Sequence, residues 1–247
     1  MKDVIVFNFT GAYENQDLYR NPDFCVIECK DIEGTNGYCD DEAAGKIRER
    51  FKEVSLNGVH FIDAGNYHYL SKFMVERIDE PFTLVVFDHH SDMKESEFFG
   101  LLSCGSWILD VVNTNDMVKR VVLVGISEEQ KEMIPDVNKE IIVYTDEEIR
   151  NMSNVKIPLD CPIYISVDKD VLDETELKTT WDQGIMTKDE FFSIFKGILE
   201  SGVDIVGVDI CGEAEYHFGV DEDDVKNQEF NNMLVRLISG EESEKGD

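Results

Sequence analysis

Short apolar runs, most of them rich in β-branched residues, recur along the chain and alternate with longer segments of mixed polarity. Several runs are apolar at consecutive rather than alternate positions, which is typical of strands that are covered on both faces of a parallel sheet. These runs predict eight strands, at Val4–Phe9, Phe24–Glu28, Val59–Asp63, Thr83–Phe87, Arg120–Val124, Ile141–Tyr144, Ile163–Val167 and Ile205–Val208.

The segments between these runs predict helices. Asp41–Val54 opens with acidic residues, which suit the N-terminus of a helix. Thr187 and Glu190 form a capping-box pattern ahead of an apolar stripe with helical spacing. Three further helices are predicted at Tyr69–Ile78, Trp107–Val112 and Glu128–Met133. This alternation of strands and helices predicts a layered α/β domain.

The chain has 247 residues, of which 42% are hydrophobic, and this is enough for a substantial core in one domain. We assign that domain to residues 1–240 and expect the charged segment 241–247 to be a disordered acidic tail. The 23 basic and 53 acidic residues give a net charge of −30. Such a surface repels nucleic-acid backbones and anionic lipid, so neither partner is expected. It is compatible with a cationic small molecule or with divalent metal ions.

The six cysteines are scattered along the chain and form no Cys-x-x-Cys pair. The apolar run near the first residue is too short for a signal peptide, and no stretch reaches the ~18 apolar residues of a transmembrane helix. We therefore expect reduced thiols in a cytoplasmic protein without a membrane partner. The sequence leaves the oligomeric state open, a homo-oligomer included.

Polar residues with metal-binding chemistry follow three of the predicted strands. The run Asp88–Asp92 comes directly after one strand, Asp168–Asp170 after another, and His68 shortly after a third. Ligands of open α/β sheets bind at the carboxyl ends of the strands, and residues two apart at a strand end point to the same side. We expect six side chains to converge there: His68, Asp88, His90, Asp92, Asp168 and Asp170.

Four aspartates in one desolvated site need counter-charges, because burying carboxylates together is very costly. Two divalent cations would supply +4 against the −4 of the carboxylates. Imidazole and carboxylate ligands without cysteine suit Mn²⁺ better than a thiolate zinc site. The sequence therefore predicts a binuclear metal site that holds two Mn²⁺, with other divalent metals left open.

With these motifs the sequence resembles the ureohydrolase family, which includes arginase, agmatinase and formiminoglutamase. The signatures of that family are Gly-Gly-Asp-His, Asp-Ala-His-x-Asp, Ser-Phe-Asp-x-Asp-x-x-Asp-Pro and a later Asp-x-x-Glu. Here the corresponding segments are, in the same order, Gly65–His68, Asp88–Asp92, Ser166–Asp173 and Asp209–Glu213. The resemblance spans about residues 59–213, and its two aspartate motifs are the specific ones.

The resemblance implies an arginase-like, three-layer α/β/α fold around a mostly parallel sheet of about eight strands. It also implies a cluster of two manganese ions. Carried over by position, one ion would be held by His68, Asp88, Asp92 and Asp168. The other would be held by His90, Asp88, Asp168 and Asp170, so that Asp88 and Asp168 bridge the two ions.

The activity implied by the resemblance is hydrolysis of C–N bonds in linear amidines or guanidino compounds. A hydroxide shared by the two metals would attack the guanidinium carbon of the substrate. Asp92 would accept a hydrogen bond from that hydroxide and carry a proton to the departing amine. Glu213 would pair with the cation of the substrate. The implied function is agmatinase-like, with a cationic small-molecule substrate that the sequence does not identify.

Two departures from the family pattern bear on this function. Cys104 stands where family members carry a histidine that shuttles protons, and we expect Cys104 either to contact substrate or relay protons, or to be a buried apolar residue. The segment Met93–Glu95 lacks the asparagine-containing loop that holds the amino-acid end of arginine, which argues against arginase itself.

Two alternatives remain open at this point. One is a metal-binding or regulatory relative of the ureohydrolases that has lost catalysis. The other is a metal-dependent deacetylase of the same fold. Deacetylases use one zinc ion and lack the full set of aspartates, so the six filled ligand positions argue against them.

Overall fold

The computed structural model describes residues 3–96, 100–151, 155–214 and 219–240, so the acidic tail 241–247 lies outside the described residues. Eight strands form one sheet in the spatial order β2-β1-β4-β10-β9-β5-β7-β8, and every neighbouring pair is parallel. In chain order these strands are β1 (Asp3–Asn8), β2 (Cys25–Glu28), β4 (Gly58–Ile62), β5 (Phe82–Phe87), β7 (Val118–Ile126), β8 (Glu140–Thr145), β9 (Ile163–Asp168) and β10 (Ile205–Cys211). All eight predicted strands are present, with ends that differ by at most three residues.

Two short strands that the sequence pattern did not predict form a separate antiparallel pair. They are β3 (Tyr38–Cys39) and β6 (Leu102–Ser103), with Tyr38 opposite Ser103. Cys104 follows β6 directly, and its backbone N–H donates to the carbonyl of Gly37 at 3.1 Å. The pair therefore fixes the segment that carries Cys104.

The described residues form eight α-helices, of which five coincide with predicted ones. They are α1 (Asp17–Arg20), α2 (Asp41–Phe51), α3 (Leu70–Val75), α4 (Trp107–Thr114), α5 (Glu128–Glu132), α6 (Asp146–Asn151), α7 (Lys188–Glu200) and α8 (Glu222–Ser239). The capping box of Thr187 and Glu190 is formed at the start of α7. None of the helices described is both long and apolar enough to cross a lipid bilayer.

The sheet separates two apolar cores, because successive side chains of a strand point to opposite faces. Leu84 and Val86 of β5 lie in the core that contains residues of α2, α3 and α4. Val85 and Phe87 lie in the other core, with residues of α7 and α8. The protein therefore has the predicted three-layer α/β/α architecture, and strands covered on both faces explain the consecutive apolar positions.

The strands β4, β10, β9 and β5 are neighbours at the centre of the sheet, and their carboxyl ends lie level with one another. Cys211 at the end of β10 is paired with Ile62 of β4 and with Asp168 of β9, and Phe87 of β5 is paired with Val167 of β9. The segments that leave these strands therefore start from one edge of the sheet, where the predicted motifs meet.

Candidate metal centre

His68 is the centre of a first group of potential metal ligands. A short 3₁₀ turn after β4 carries it back over the end of the sheet. Its Nδ1 lies 3.0 Å from Oδ2 of Asp92, 3.3 Å from Oδ2 of Asp88 and 3.4 Å from Oδ2 of Asp168. All four side chains are buried. One imidazole nitrogen thus faces three carboxylates from the ends of two strands.

His90 is the centre of a second group. Its Nδ1 lies 3.0 Å from Oδ2 of Asp170 and 3.6 Å from Oδ1 of Asp88. Its other ring nitrogen, Nε2, lies 3.2 Å from Oδ1 of Asp182, which is more exposed. A carboxylate on the far nitrogen fixes the orientation of a metal-binding imidazole and increases its basicity. His90 is therefore held with Nδ1 directed at the carboxylates.

Asp88 joins the two groups, because Oδ2 faces His68 while Oδ1 faces His90. The potential ligand atoms of His68, Asp88 and Asp92 lie within 4.8 Å of one another, and so do those of Asp88, His90 and Asp170. Oδ2 of Asp88 is buried and has no hydrogen-bond partner among the described residues. A buried carboxylate oxygen without a donor is costly unless a cation coordinates it. The donor set and this oxygen fit a pair of hard divalent metals.

The polypeptide around Asp92 is shaped to direct its carboxylate into the site. Asp92 has φ of 48°, in the left-handed region that a residue with a side chain rarely adopts and that costs about 1–3 kcal/mol. The indole Nε1 of Trp107 donates to Oδ2 of Asp92 at 2.7 Å, and the backbone N–H of Ile108 donates to its carbonyl at 3.0 Å. The start of α4 therefore holds Asp92 in a strained conformation next to His68.

A hydrogen-bond chain behind His68 determines which nitrogen faces the carboxylates. Ser166 donates its hydroxyl hydrogen to Oδ1 of Asp209. The Ser166 oxygen lies 2.9 Å from Nε2 of His68 and accepts the hydrogen on that nitrogen. In the neutral imidazole the lone pair is then on Nδ1, the atom that faces Asp88 and Asp92.

Burial and mutual proximity change the pKa values of these groups strongly. Burial raises the pKa of Asp168 to about 6, and the charge of Asp88 adds to this rise while that of His68 opposes it. Burial alone would lower the pKa of His90, but Asp170 and Asp88 raise it to about 12. The pKa of His68 is raised well above its usual value by Asp88 and Asp92, against the effect of its burial. The carboxylates thus attract cations strongly, which is the electrostatic requirement of a metal site.

These residues line a cavity of about 240 Å³ at the carboxyl edge of the sheet. All six predicted metal ligands line it, and so does Cys104. Around them lie side chains of opposite charge and two aromatic residues, namely Tyr38, Lys94, Glu95 and Trp181. Trp181 is 44% exposed and donates from Nε1 to the side-chain oxygen of Asn66 at 2.9 Å. The six residues predicted from three separate motifs are therefore brought together in one small cavity.

Cys104 lines the cavity, although its thiol is largely shielded from solvent. Burial, and then the charge of Asp92, raise the pKa of the Cys104 thiol to about 12. In the metal-free protein Cys104 is therefore a neutral thiol at physiological pH. It lines the same cavity as the carboxylates.

Glu213 lies away from the cavity, although the family resemblance implies that it contacts the substrate. It is only 2% exposed, and it is absent from the residues that line the cavity. Its Oε2 lies 2.6 Å from Nζ of Lys169 and its Oε1 accepts from Gln16 at 2.7 Å. The usual Asp-x-x-Glu spacing would put a glutamate at position 212, where a Cβ would lie 2.2 Å from Oδ1 of Asp168. Gly212 fits there, whereas Glu213 turns into the protein and pairs with Lys169. The predicted contact of Glu213 with a substrate cation stays a prediction.

Sequence reasoning missed several residues around the site. Trp107 was predicted only as an apolar residue of a helix, and Trp181 and Lys94 carried no motif. Lys169 lies inside the Asp-x-Asp motif but was given no role, although its ammonium group is completely buried. A lysine between the two aspartates of a buried strand-end motif was the one signal that could have indicated its importance.

The fold and the site define a class: an α/β/α protein whose central strand ends bring two groups of histidine and aspartate together. The model of the arginase family matches residues 8–216, and the chain belongs to that family. It is also 33% identical over 210 residues to an uncharacterized protein of Thermotoga maritima, an alignment that covers 85% of this chain and 79% of that protein.

Solved structures show the same fold at low sequence identity. Trypanosoma cruzi formiminoglutamase with Mn²⁺ superposes with a TM-score of 0.66 at 12% identity, over 97% of this chain and 93% of that chain. Arginase from Bacillus cereus superposes with a TM-score of 0.65 at 15% identity, over 99% of this chain and all of that chain, 100%. The arginase-like fold predicted from the motifs is therefore confirmed.

Proposed function

We propose that this protein is a hydrolase that uses two divalent metal ions, preferably manganese, to cleave C–N bonds of linear amidines or guanidino compounds. The observation that carries the proposal is the position of Asp88 between His68 and His90, with one buried oxygen that lacks a hydrogen-bond donor. Membership of the arginase family and the manganese named for the T. cruzi enzyme support the same interpretation.

The proposed ligands are those of the sequence motifs. One ion would be held by His68, Asp88, Asp92 and Asp168. The short distances from Nδ1 of His68 to an oxygen of each aspartate support this set. His90, Asp88, Asp168 and Asp170 would hold the other. Asp168 already directs Oδ2 towards His68, and its Oδ1 accepts the backbone N–H of Asp170 at 3.1 Å. Two bound metals would lower the pKa of a water molecule towards neutrality and so supply the nucleophile.

Asp92 is the residue we propose for proton transfer. Trp107 holds one of its oxygens and the start of α4 holds its backbone, so the carboxylate keeps a fixed position at the cavity floor. Burial, and then the charge of Asp88, raise the pKa of Asp92 in the metal-free protein. Asp92 would accept a proton from the attacking water and deliver it to the leaving amine.

The cavity supports a small cationic substrate. Its volume of about 240 Å³ and its floor of carboxylates favour a compact cation over a long amino acid. Aromatic side chains at Tyr38 and Trp181 can stabilise such a cation through their π faces. The loop after Asp92 places Lys94 and Glu95 at the cavity, so the far end of the substrate meets charges instead of an asparagine clamp.

A metal-supplemented substrate panel tests the proposed function. Protein reconstituted with Mn²⁺ is assayed for urea or ammonia release from agmatine, guanidinobutyrate, guanidinopropionate, formiminoglutamate and arginine. We expect at least one of the first four to be cleaved with a higher kcat/KM than arginine. Arginine as the best substrate would contradict the proposed specificity. Bound manganese without any release across the panel would favour the non-catalytic relative.

Substitution of Cys104 tests whether its thiol contributes to turnover. Cys104→Ala is expected to lower kcat on the best substrate by about 10-fold and to leave metal content unchanged. This loss is smaller than the ~100- to 10,000-fold typical of a positioned general acid or base, because a neutral thiol is a poor proton relay. Cys104→Ser, which retains a polar hydrogen, serves as the matched variant and should lose less. Full turnover by Cys104→Ala would instead make the thiol a packing residue of the cavity wall.

A further inference from the structure

A buried charge cluster lies directly behind the metal-binding residues. The side chain of Lys169 is 0% exposed, and its Nζ lies 2.6 Å from Oε2 of Glu213 and 2.7 Å from Oδ1 of Asn227. Glu213 in turn accepts hydrogen bonds from Gln16 at 2.7 Å and from Asn231 at 3.1 Å. A lysine removed from water is costly unless it is paired and fully hydrogen-bonded, and here it is.

The location of this cluster connects it to the candidate ligands. Lys169 stands between Asp168 and Asp170, in the 3₁₀ turn at the end of β9. The two aspartates line the cavity, whereas the ammonium group of Lys169 is inserted between the sheet and α8. Any movement of Lys169 therefore moves the backbone that carries both carboxylates.

The partner of Lys169 is attached to the neighbouring strand end. Glu213 follows Gly212 just after β10, and both of their backbone N–H groups donate to the carbonyl of Asp63, at 3.1–3.2 Å. Gly212 packs so closely on β9 that a Cβ there would lie 2.8 Å from the backbone nitrogen of Lys169. The ion pair thus ties the ends of β9 and β10 together beside Asp168.

Asn227 and Asn231 connect the same cluster to α8. Both are fully buried, one turn apart on the helix, and each contacts the Lys169–Glu213 pair. Asn227 also donates to the carbonyl of Lys178, so its amide is fixed on both sides. The amides provide hydrogen bonds that a hydrophobic helix face could not provide, and they leave the pair little freedom to move.

We propose that the Lys169–Glu213 pair, seated on Asn227 and Asn231, is a positioning device that holds Asp168 and Asp170 in the geometry needed to bind metal. This role rests on the proposed metal centre. It gives Lys169 and Glu213 a function in metal affinity without contact with metal or substrate. Outer groups that orient metal ligands change affinity by about 10- to 100-fold when they are removed.

The decisive variant is Lys169→Met combined with Glu213→Gln, because it removes both charges and leaves neither one buried alone. Mn²⁺ affinity and stoichiometry are measured by isothermal titration of the metal-free full-length protein. We expect the weaker of two dissociation constants to rise about 10-fold or more. Arg120→Met is the matched control, since it removes a shielded ion pair with Glu140 and Asp160 near the amino end of β7. It should lower the melting temperature and leave Mn²⁺ affinity unchanged.

Asn227→Leu accompanies the double variant, since it keeps both charges and removes only one acceptor from Lys169. We expect it to raise the same dissociation constant about 3-fold or more. If the double variant does not fold, this result tests the positioning role of the Lys169–Glu213 pair. Unchanged Mn²⁺ affinity in the folded variants would overturn the positioning role alone. Absence of manganese binding by the wild-type protein would overturn the proposed function itself.

Discussion

Replacing Asp88 by alanine is expected to reduce the bound manganese from about two ions per chain to one or none and to lower kcat/KM by at least ~100-fold. The reason is geometric: Oδ2 faces Nδ1 of His68 at 3.3 Å while Oδ1 faces Nδ1 of His90 at 3.6 Å. Loss of Asp88 therefore removes a donor from both proposed ions. Metal content is measured by elemental analysis after reconstitution and desalting, beside steady-state kinetics on the best panel substrate.

Asp168→Ala is the companion variant and should behave similarly, because its Oδ2 lies 3.4 Å from His68 and its Oδ1 faces Asp170. Asp173→Ala is the control from the same motif. The Asp173 carboxylate is turned to Thr175, whose hydroxyl donates to it at 2.6 Å, so metal content should not change. Unchanged metal in both Asp88→Ala and Asp168→Ala would contradict the shared-ligand assignment. A single bound zinc in the wild type would instead fit the deacetylase alternative.

The strands and the convergence of the six candidate ligands were predictable because both result from local rules. The strand Phe82–Phe87 is buried on both faces, so its residues Leu84–Phe87 are apolar at consecutive positions and stand out in the sequence. In a parallel sheet, the segments that leave the carboxyl ends of the strands all start from one edge. Asp88 and Asp168 each stand at such a strand end, and this alone brings them together.

The longest helix was missed for a physical reason. α8 buries Asn227 and Asn231 beside Phe230 and Leu234, so its inward face is not continuously apolar. Those two amides face the charges of Lys169 and Glu213, which belong to distant parts of the chain. Periodicity cannot reveal a helix whose buried face matches a polar partner that only the fold provides.

The direction of the Glu213 side chain was not predictable for a different reason. The spacing from Asp209 to Glu213 is one residue longer than in Asp-x-x-Glu, and one residue at a strand end reverses the direction of the side chain. Gly212 faces Asp168, and the next residue faces Lys169 and α8. Similarly, the position of Cys104 in the cavity depends on the short pair of β3 and β6, whose two-residue strands leave no detectable pattern. Details of this kind depend on contacts between segments far apart in the sequence.

Removing the metal with a chelator is expected to lower the melting temperature more at pH 7.5 than at pH 5.5. Burial raises the pKa of Asp168 to about 6, and burial followed by the charges of Asp168 and Asp88 raises the pKa of Asp170 well above its usual value. In the metal-free folded protein these groups keep protons that the unfolded chain releases near pH 4. Their contribution to stability is therefore present below pH ~4 and is lost as the pH rises through the folded-state pKa.

His90 changes the pH dependence of stability of the metal-free protein in the same direction as the two aspartates. The pKa of His90 is raised to about 12 against the effect of its burial, so the metal-free site holds a proton there that the unfolded chain loses above pH ~6.5. Metal binding requires neutral imidazoles and ionised carboxylates, and metal affinity therefore increases with pH. At pH 7.5 the metal-free protein is less stable and the metal binds more tightly. Both effects increase the difference in melting temperature between metal-loaded and metal-free protein.

The expected difference in melting temperature at pH 7.5 is about 5–10 °C, for free metal at ~100 times its dissociation constant. At pH 5.5 it should be less than half of that. The measurement is thermal unfolding of manganese-loaded and chelator-treated protein at the two pH values. His60, whose pKa burial lowers to about 4, titrates in both samples, so its effect cancels in the difference. Asp88→Ala provides the control, because its melting temperature should respond little to the chelator. An equal or larger chelator effect at pH 5.5 would contradict the assignment of these carboxylates as metal ligands.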